Sequence, residues 1–209
     1  MKTTVIYFIL FVATMAIGNK ETQAAGAAQK TIINLRDAFI GETTASAKYS
    51  AFAQKAREEG YDRIGLLFEA ASKAESIHAG NHKAVLLQLG GTIPEVDPQI
   101  EIKSTEENLK EALTGESYEI STMYPDFIKK AQEENVSLAL ISLNYAYQTE
   151  KKHKALYSKA IQALQDGSVK NLSDVYSVCS TCGNTYDSQA PERCGISMTP
   201  RDRFIRFSL

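Results

Sequence analysis

The chain of 209 residues is long enough for one domain of ordinary size with a small appendage, and its hydrophobic fraction of 44% is enough for a buried core. A formal net charge of −2 gives no reason to expect a nucleic acid or an acidic membrane surface as a partner. Tryptophan is absent, and glycine and proline are scarce before residue 90, a composition that favours helices.

Residues 1–27 have the layout of a secretory signal peptide. Lys2 gives a short positive start, residues 5–17 form an apolar run, and residues 25–27 are small enough for cleavage. A membrane-spanning helix needs about 20 apolar residues, so the run is short for an anchor. We expect a mature protein that works in the periplasm or is otherwise exported, with no membrane contact after cleavage. The alternative is an uncleaved membrane anchor through residues 5–17.

Four further segments have apolar residues at the spacing of a buried helix face. They cover residues 30–59, 62–89, 105–134 and 136–166. In each of them a glutamate or histidine lies in the middle of the apolar stripe, where a helix packed into a bundle would bury it. The sequence therefore predicts an all-α fold, a four-helix bundle whose interior carries ionisable groups.

The segment between the second and third predicted helices, residues 90–104, has no helical stripe and contains Pro94 and Pro98. A segment of this length spans ~50 Å when fully extended, whereas the helix before it would be ~42 Å long. The segment can therefore cross the whole bundle as a long crossover connection. Gly60 and Asn135 suit the tight turns inside the two predicted helical hairpins.

The two halves of this helical region repeat each other. A duplicated hairpin of this kind would place two equivalent half-sites about a pseudo-twofold axis. The matching positions are Glu42 with Glu116, Glu75 with Glu150, and His78 with His153, the last two pairs after a one-residue offset.

The motif Glu-x-x-His occurs once in each half, and its two side chains lie on one face of a helix, so that each motif can contribute to one metal ion and to a bridge between two. Carboxylate and imidazole ligands suit iron or manganese that handles oxygen or peroxide. Buried carboxylates would cost several kcal/mol each, and two divalent cations cancel most of that charge. The alternative to a metal site is that each Glu-x-x-His motif is a pair of solvated side chains on the surface of a helix. The predicted ligands are Glu42, Glu75, His78, Glu116, Glu150 and His153.

Three other side chains near these ligands are candidates for the chemistry. Glu119 lies one turn after Glu116, and it would give one metal an additional or alternative carboxylate. Tyr49 and Tyr124 follow the lone glutamate of each half by seven and eight positions, and could hydrogen-bond the ligating carboxylates. A solvated glutamate and plain core tyrosines are the alternatives. His82 is placed near the end of the bundle and is not predicted to be a ligand.

Residues 174–209 lack the spacing of apolar residues that predicts helices, are rich in loops, and contain all three cysteines of the chain. Cys179 and Cys182 form one Cys-x-x-Cys knuckle, and Cys194 begins a second knuckle whose last position is Ser197. Four thiolates in two such knuckles would make a tetrahedral iron or zinc site. Only three thiolates are present here, so the oxygen of Ser197 or of a water molecule would have to be the fourth ligand. The alternative is a disulfide between Cys179 and Cys182, with Cys194 free.

Taken together, residues 30–209 resemble the rubrerythrin family, which has a ferritin-like di-iron four-helix bundle followed by a rubredoxin-like module. We place the bundle at residues 28–167 and the module at residues 174–209. The motifs that carry the resemblance are Gly41-Glu42 with Tyr49, Glu75-x-x-His78, Gly115-Glu116-x-x-Glu119 with Met123-Tyr124-Pro125, Glu150-x-x-His153, Cys182-Gly-Asn-Thr and Ala190-Pro-Glu-Arg-Cys194.

The resemblance implies that all seven bundle residues ligate two iron ions, with Glu119 and His78 alternating as ligands of one iron when its redox state changes. It implies a peroxidase that reduces hydrogen peroxide to water in defence against oxidative stress, with a proton from a nearby glutamate or tyrosine. Glu119, Tyr49 and Tyr124 are the catalytic candidates. Electrons would come from a donor protein or reductase through the metal of the rubredoxin-like module. Relatives pair subunits so that the tail of one approaches the di-iron site of the other, which implies a homodimer.

The chain departs from the family pattern at the fourth cysteine, which is Ser197, at the proline usual after the first cysteine, which is Ser180, and in its exported-type N-terminus. Two other functions therefore stay open. A ferroxidase or iron-binding protein that uses oxygen is favoured by Ser197, because an incomplete tail site would relay electrons slowly. A metal-free helical interaction module with structural histidines is the third possibility.

Overall fold

The helical part of the chain forms the expected four-helix bundle, and each helix ends within one residue of its predicted boundary. The computed structural model describes residues 28–209; the predicted signal peptide, residues 1–27, lies outside the described residues. The third bundle helix consists of α3 and α4 joined by a π-helical turn. The bounds are α1 Gln29–Glu58, α2 Asp62–Gln88, α3 Thr105–Tyr118, the π turn Glu119–Met123, α4 Tyr124–Glu133 and α5 Ser137–Gln165.

Local sequence signals set the ends of these helices. Gly60 and Asn135 have φ values of +84° and +56°, the left-handed conformation that the tight turns of both hairpins require. At the start of α3, the Ser104 hydroxyl accepts from the Glu107 N–H and the Glu107 carboxylate accepts from the Ser104 N–H, which forms a capping box. The residues at these positions therefore explain both of the predicted turns and the start of α3.

The two hairpins cap each other across the bundle. The Glu59 carboxylate at the end of α1 accepts from the Thr105 N–H at 2.9 Å, and the Glu134 carboxylate after α4 accepts from the Thr31 N–H at 2.8 Å. A carboxylate at a helix N-terminus satisfies free N–H groups and the helix dipole. Because α3 begins beside the end of α1, the connection through residues 89–104 runs the length of the bundle, as predicted.

The π turn accounts for the one-residue offset of the internal repeat. Tyr49 follows Glu42 by seven positions, but Tyr124 follows Glu116 by eight. The Tyr124 N–H donates to the Glu119 carbonyl five residues back, so the extra residue is absorbed as a wider helical turn. Pro125 has no N–H to continue the ordinary ladder, which favours an interruption here. Insertion of one residue thus keeps Tyr124 on the inner face.

Two apolar clusters fill the bundle on either side of its ionisable groups. The first is rich in aromatic rings, whose centroids lie 5.5 to 6.3 Å apart. None of the helices within residues 28–209 is both long and apolar enough to cross a membrane. The central residues are Tyr49, Phe52, Phe68 and Tyr157 in the first cluster, and Leu35, Leu86, Tyr124 and Leu143 in the second.

The C-terminal module contains a small antiparallel sheet with strand order β2-β1-β3, where β1 is Val175–Cys179, β2 is Thr185–Tyr186 and β3 is Phe204–Ser208. The Gly183 N–H donates to the Cys179 carbonyl at 2.9 Å, and the Met198 N–H donates to the Cys194 carbonyl at 3.0 Å. Gly183 and Met198 both have positive φ, +77° and +60°. The two knuckles therefore have the same backbone turn, although the second ends in serine.

Candidate metal centres

Six of the predicted ligands meet in the middle of the bundle as two overlapping groups. Within each group the ligand atoms all lie within 4.8 Å of one another, and all six side chains are buried. Glu75 and Glu150 belong to both groups. The first group is Glu42, Glu75, His78 and Glu150, and the second is Glu75, Glu116, Glu150 and His153.

The shared carboxylates lie between the two histidines. Glu150 places Oε1 2.9 Å from His78 Nδ1 and Oε2 2.9 Å from His153 Nδ1. Glu75 places Oε2 2.8 Å from His78 Nδ1 and Oε1 3.0 Å from His153 Nδ1. Each carboxylate thus presents one oxygen to each half of the site, which is the arrangement expected of carboxylates that bridge two metal ions.

Buried polar atoms without partners show that this site fits two cations. Burial of a carboxylate oxygen without a hydrogen bond is costly, and burial of several together adds electrostatic repulsion. Two divalent cations would satisfy these atoms and cancel most of the charge. Among residues 28–209, the buried atoms that make no hydrogen bond of acceptable geometry, in spite of the short contacts within the site, include Glu42 Oε2, Glu75 Oε1, Glu116 Oε2, both oxygens of Glu150, and His153 Nδ1.

The histidines turn their other ring nitrogen toward the C-terminal module. His78 Nε2 lies 3.0 Å from the Cys182 carbonyl oxygen, and His153 Nε2 lies 3.0 Å from the Thr185 hydroxyl. A carbonyl only accepts, so His78 donates from Nε2 and leaves Nδ1 free for a metal. The contact with Thr185 was missed from the sequence, because nothing in the sequence places the module against the bundle.

The two predicted tyrosines hydrogen-bond the ligating carboxylates, but each bonds the glutamate of the other hairpin. The Tyr49 hydroxyl donates to Glu116 at 2.9 Å, and the Tyr124 hydroxyl donates to Glu42. Both tyrosines are buried. This crossed pairing fixes the orientation of the two carboxylates that belong to only one group.

Without cations, the electrostatics of the site favour the protonated forms of Glu42, Glu116 and His78 but the ionised form of Glu75. Burial, followed by the charge of Glu75, raises the pKa of Glu42 to about 8. Burial and the charge of Glu150 raise the pKa of Glu116 well above its usual range. Burial acts to lower the pKa of His78, but Glu150 and the other carboxylates outweigh it and raise that pKa. Burial acts to raise the pKa of Glu75, but His153 and His78 outweigh it and lower that pKa to about 2.

Glu119 lies apart from the six converged ligands. It belongs to the π turn, is partly exposed, and has no atom in either group of ligand atoms. Burial of its carboxyl group and the charges of Glu42 and Glu116 nevertheless raise the pKa of Glu119 well above its usual value. The carboxylate is therefore close enough to interact with the site electrostatically, at the point where the site approaches the surface.

His82 is buried and is not part of either group of ligand atoms. Its Nε2 lies 3.2 Å from the Tyr124 hydroxyl, and its Nδ1 lies 2.8 Å from the Ser142 hydroxyl. One feature of the sequence points to this contact: His82 continues the inward helical stripe of Glu75 and His78. Ser142 carried no such signal.

The three cysteines of the module form a second candidate centre. Cys179, Cys182 and Cys194 are buried and free, and their sulfur atoms lie within 4.8 Å of one another. Tetrahedral ligation with metal–sulfur bonds of ~2.3 Å requires sulfurs ~3.8 Å apart, so the cluster fits a metal ion. The Ser197 hydroxyl lies 3.2 Å from Cys179 Sγ, in the position that the last cysteine of the second knuckle would take.

Gly183 brings the module into close contact with the bundle. A methyl group at Gly183 would overlap the His78 ring, and the positive φ of Gly183 disfavours any side chain. We expect Gly183→Ala to displace the module and to destabilise the protein by about 1–3 kcal/mol. Thermal unfolding and hydrogen exchange at Cys182 and Thr185 measure this. Gly195→Ala is the matched control, since a methyl group there meets only the Tyr186 hydroxyl at 3.5 Å. Equal effects of both substitutions would contradict the expected role of Gly183.

This chain is similar in sequence and in structure to known proteins of one family. The rubrerythrin family model matches residues 34–161. Nigerythrin of Nitratidesulfovibrio vulgaris is 38% identical over 194 residues, which cover 90% of this chain and 92% of that protein. Rubrerythrin of Porphyromonas gingivalis is 32% identical over 180 residues, 84% and 88% of the two chains. A solved structure of nigerythrin in its fully reduced, all-ferrous state matches with a TM-score of 0.76 at 38% identity, covering 84% of this chain and 86% of that one. The chain belongs to the rubrerythrin family.

Proposed function

We propose that this di-iron protein of the rubrerythrin family is a peroxidase that reduces hydrogen peroxide to water, H₂O₂ + 2H⁺ + 2e⁻ → 2H₂O. The observation that carries the proposal is the pair of buried ligand groups that share Glu75 and Glu150. Two ferrous ions held there would supply both electrons at one place, which avoids release of a one-electron product. Carboxylate and imidazole ligands suit this chemistry.

The side chains around the site supply binding and protons. Among the seven predicted ligands of the bundle, Glu119 alone keeps partial exposure, so peroxide would reach the centre beside the π turn. The Tyr49 and Tyr124 hydroxyls already donate to ligating carboxylates and lie where a proton is needed. Burial and the charges of Glu42 and Glu116 raise the pKa of Glu119, which favours its protonated form and suits a proton donor.

Electrons would enter from the three-cysteine cluster. Cys182 belongs to that cluster, and its carbonyl accepts the His78 Nε2 hydrogen at 3.0 Å, so a short bonded path joins the two candidate centres. This contact lies within one chain and needs no partner subunit. The homodimer, the external electron donor and export through residues 1–27 remain predictions.

The metal of the module would be iron or zinc held by three thiolates and Ser197. A serine oxygen is a harder ligand than thiolate and binds these metals less tightly. We expect Ser197→Cys to bind iron at least about tenfold more tightly and Ser197→Ala to bind it more weakly, as measured by metal content and the optical spectrum of ferric thiolate. Ser188→Ala, at an exposed position of the same module, is the control. Unchanged iron binding in both Ser197 variants would exclude Ser197 as a ligand.

A further prediction concerns Glu119. Because Glu119 has no atom in the two groups of converged ligands, the six remaining side chains should still bind iron in Glu119→Ala. Peroxide turnover should fall much more than iron content, by about 10²-fold if Glu119 delivers a proton or a late carboxylate ligand. Iron per chain and steady-state peroxide reduction are the two measurements. A parallel loss of both would count against a special role for this residue.

The alternative function is a ferroxidase that uses oxygen, and Ser197 is the observation that favours it. The deciding experiment mixes anaerobically reduced, iron-loaded protein with equal concentrations of peroxide or oxygen and follows oxidation of the centre by absorbance. The peroxidase proposal expects faster oxidation by peroxide and formation of water. Faster oxidation by oxygen, with ferric iron retained or released, would support the ferroxidase instead.

A further inference from the structure

We propose that Ser142 and His82 form a proton relay that feeds the Tyr124 side of the di-iron centre, whereas the Tyr49 side has no such relay. The proposal rests on the peroxidase function, because reduction of each peroxide consumes two protons as well as two electrons. The relay is a continuous chain of hydrogen bonds from Ser142 through His82 and Tyr124 to Glu42.

The chemistry of the end group fixes the direction of every hydrogen in this chain. A metal-bound carboxylate of Glu42 can only accept, so Tyr124 donates to it. The Tyr124 oxygen must then accept from His82 Nε2–H at 3.2 Å. His82 Nδ1 is left with a lone pair, which accepts from the Ser142 hydroxyl at 2.8 Å. Each donor therefore points toward the metal centre.

A neutral imidazole with this tautomer can take a proton at Nδ1 and release the proton at Nε2. Burial, with a smaller effect of the nearby His78, lowers the pKa of His82 to about 3, so its resting form is neutral. In one passage, Ser142 gives its proton to Nδ1, Nε2 gives its proton to the Tyr124 oxygen, and Tyr124 gives its proton to Glu42, from which it would reach the oxygen of peroxide. Ser142 regains a proton from solvent and no group keeps a net charge, but the ring now carries its proton on Nδ1 and must return to the Nε2–H tautomer before the second proton passes.

Ser142 lies at the outer end of the chain. Its side chain keeps 4% exposure, whereas His82 and Tyr124 have none. Leu138, one helical turn before Ser142 on the same face of α5, is half exposed. Ser142 is therefore the relay group nearest the surface, and it is the one that would regain a proton from solvent.

The other half of the bundle lacks both relay groups, although the repeat gives it the same ligands. Seven positions after Glu75 comes His82, and seven positions after Glu150 comes Tyr157. The counterpart of Ser142, eight positions before Glu150, is Leu67, eight positions before Glu75. Among the described residues, the Tyr157 hydroxyl makes no hydrogen bond of acceptable geometry, although Tyr49 is close enough to influence its pKa. Because Leu67 and Tyr157 fill the equivalent space in the other half, packing alone does not require a serine and a histidine here. Their presence on one side therefore indicates a function.

The tautomer of His82 tests the relay without any turnover. We expect the ¹⁵N spectrum of the zinc-loaded protein to show His82 protonated at Nε2 and bare at Nδ1; assignment is practical because the chain has three histidines. Zinc keeps Glu42 ionised and the spectrum diamagnetic. The opposite tautomer would reverse the chain and overturn the proposal, whatever the protein's activity.

Variants separate a relay from mere positioning of Tyr124. His82→Gln can still donate to the Tyr124 oxygen but cannot pass a proton through the ring, so we expect peroxide-driven oxidation to slow ~10- to 100-fold, with a changed solvent isotope effect. Ser142→Ala should slow it in the same way, and Ser142→Thr should restore it. Tyr157→Phe, the matched control, should change neither.

Iron content and thermal unfolding must be unchanged for these rates to be compared. If His82→Gln and Ser142→Ala oxidise at the wild-type rate with the wild-type isotope effect, the relay is wrong while the peroxidase function stands. If wild-type protein does not reduce peroxide, the proposed function fails, and the ¹⁵N tautomer still decides whether the hydrogen-bond chain has the proposed direction.

Discussion

Replacing Glu150 with glutamine should remove both metal ions from the bundle rather than one. Glu150 places one oxygen 2.9 Å from each metal-facing histidine nitrogen and belongs to both groups of ligand atoms. An amide keeps the volume but has one oxygen and no charge, so neither half retains its ligand set. Substitutions beyond the direct ligands already cost 10–100-fold in metal affinity, and we expect a loss of on the order of 10²-fold or more for a shared carboxylate. Iron per chain measures the effect.

Glu42→Gln is the informative comparison, because Glu42 belongs to one group only. It should weaken one site and leave about one iron per chain. Glu111→Gln is the matched control at the surface, where Glu111 pairs with Lys48 at 2.7 Å and both side chains are partly exposed; it should bind iron as wild type does. If Glu150→Gln keeps two irons with unchanged affinity, the shared position of Glu150 has no role in metal binding.

The six converged ligands could be predicted from the sequence because helical periodicity converts spacing into direction. Glutamates and histidines in the middle of apolar stripes must face inward if the helices pack, and an inward carboxylate needs compensation. The same reasoning located the turns at Gly60 and Asn135, because only a few residues tolerate the left-handed conformation. These predictions needed no knowledge of which helix lies beside which.

Features that depend on pairing between distant segments could not be predicted in this way. The capping of α3 by Glu59 and of α1 by Glu134, and the crossed bonds of Tyr49 and Tyr124, require the arrangement of the two hairpins. The one-residue offset and Pro125 are visible signals of the π turn in the sequence. Helical periodicity alone, however, predicts one continuous helix for this segment. Glu119 is displaced from the other ligands because it lies in that turn.

Docking of the module on the bundle is the largest feature that the sequence left open. The contacts of Cys182 and Thr185 with the two histidines join segments about a hundred and about thirty positions apart in the chain. Short loops and strands in the module have no periodicity that would identify an inward face. The close approach at Gly183 depends on the absence of a side chain, and many glycines in turns have no such role.

The metal-free protein should become less stable as pH rises from about 5 to 8. The pKa of Glu42 is raised from 4.5 to about 8 by burial and by Glu75, so in this range the folded chain holds a proton that the unfolded chain has released. Stability therefore decreases with increasing pH. The raised pKa values of His78 and His153 act in the same direction above 6.5. Two groups act in the opposite direction: Glu75, with its pKa lowered to about 2, between pH 2 and 4.5, and His82, with its pKa lowered to about 3, below pH 6.5.

In the metal-loaded protein the cations take the place of these protons, and metal affinity rises with pH because the ligands must be deprotonated. The difference in melting temperature between metal-loaded and metal-free protein should therefore widen from pH 5 to pH 8. A shift of a few kcal/mol in a chain of this size corresponds to a widening on the order of 10 °C. Calorimetry of both forms in matched buffers measures it. Glu42→Gln, which imitates the protonated carboxyl group, should flatten the pH dependence of the metal-free protein. Greater stability of the metal-free protein at pH 8 than at pH 5 would contradict a cluster of buried acids at the centre of the bundle.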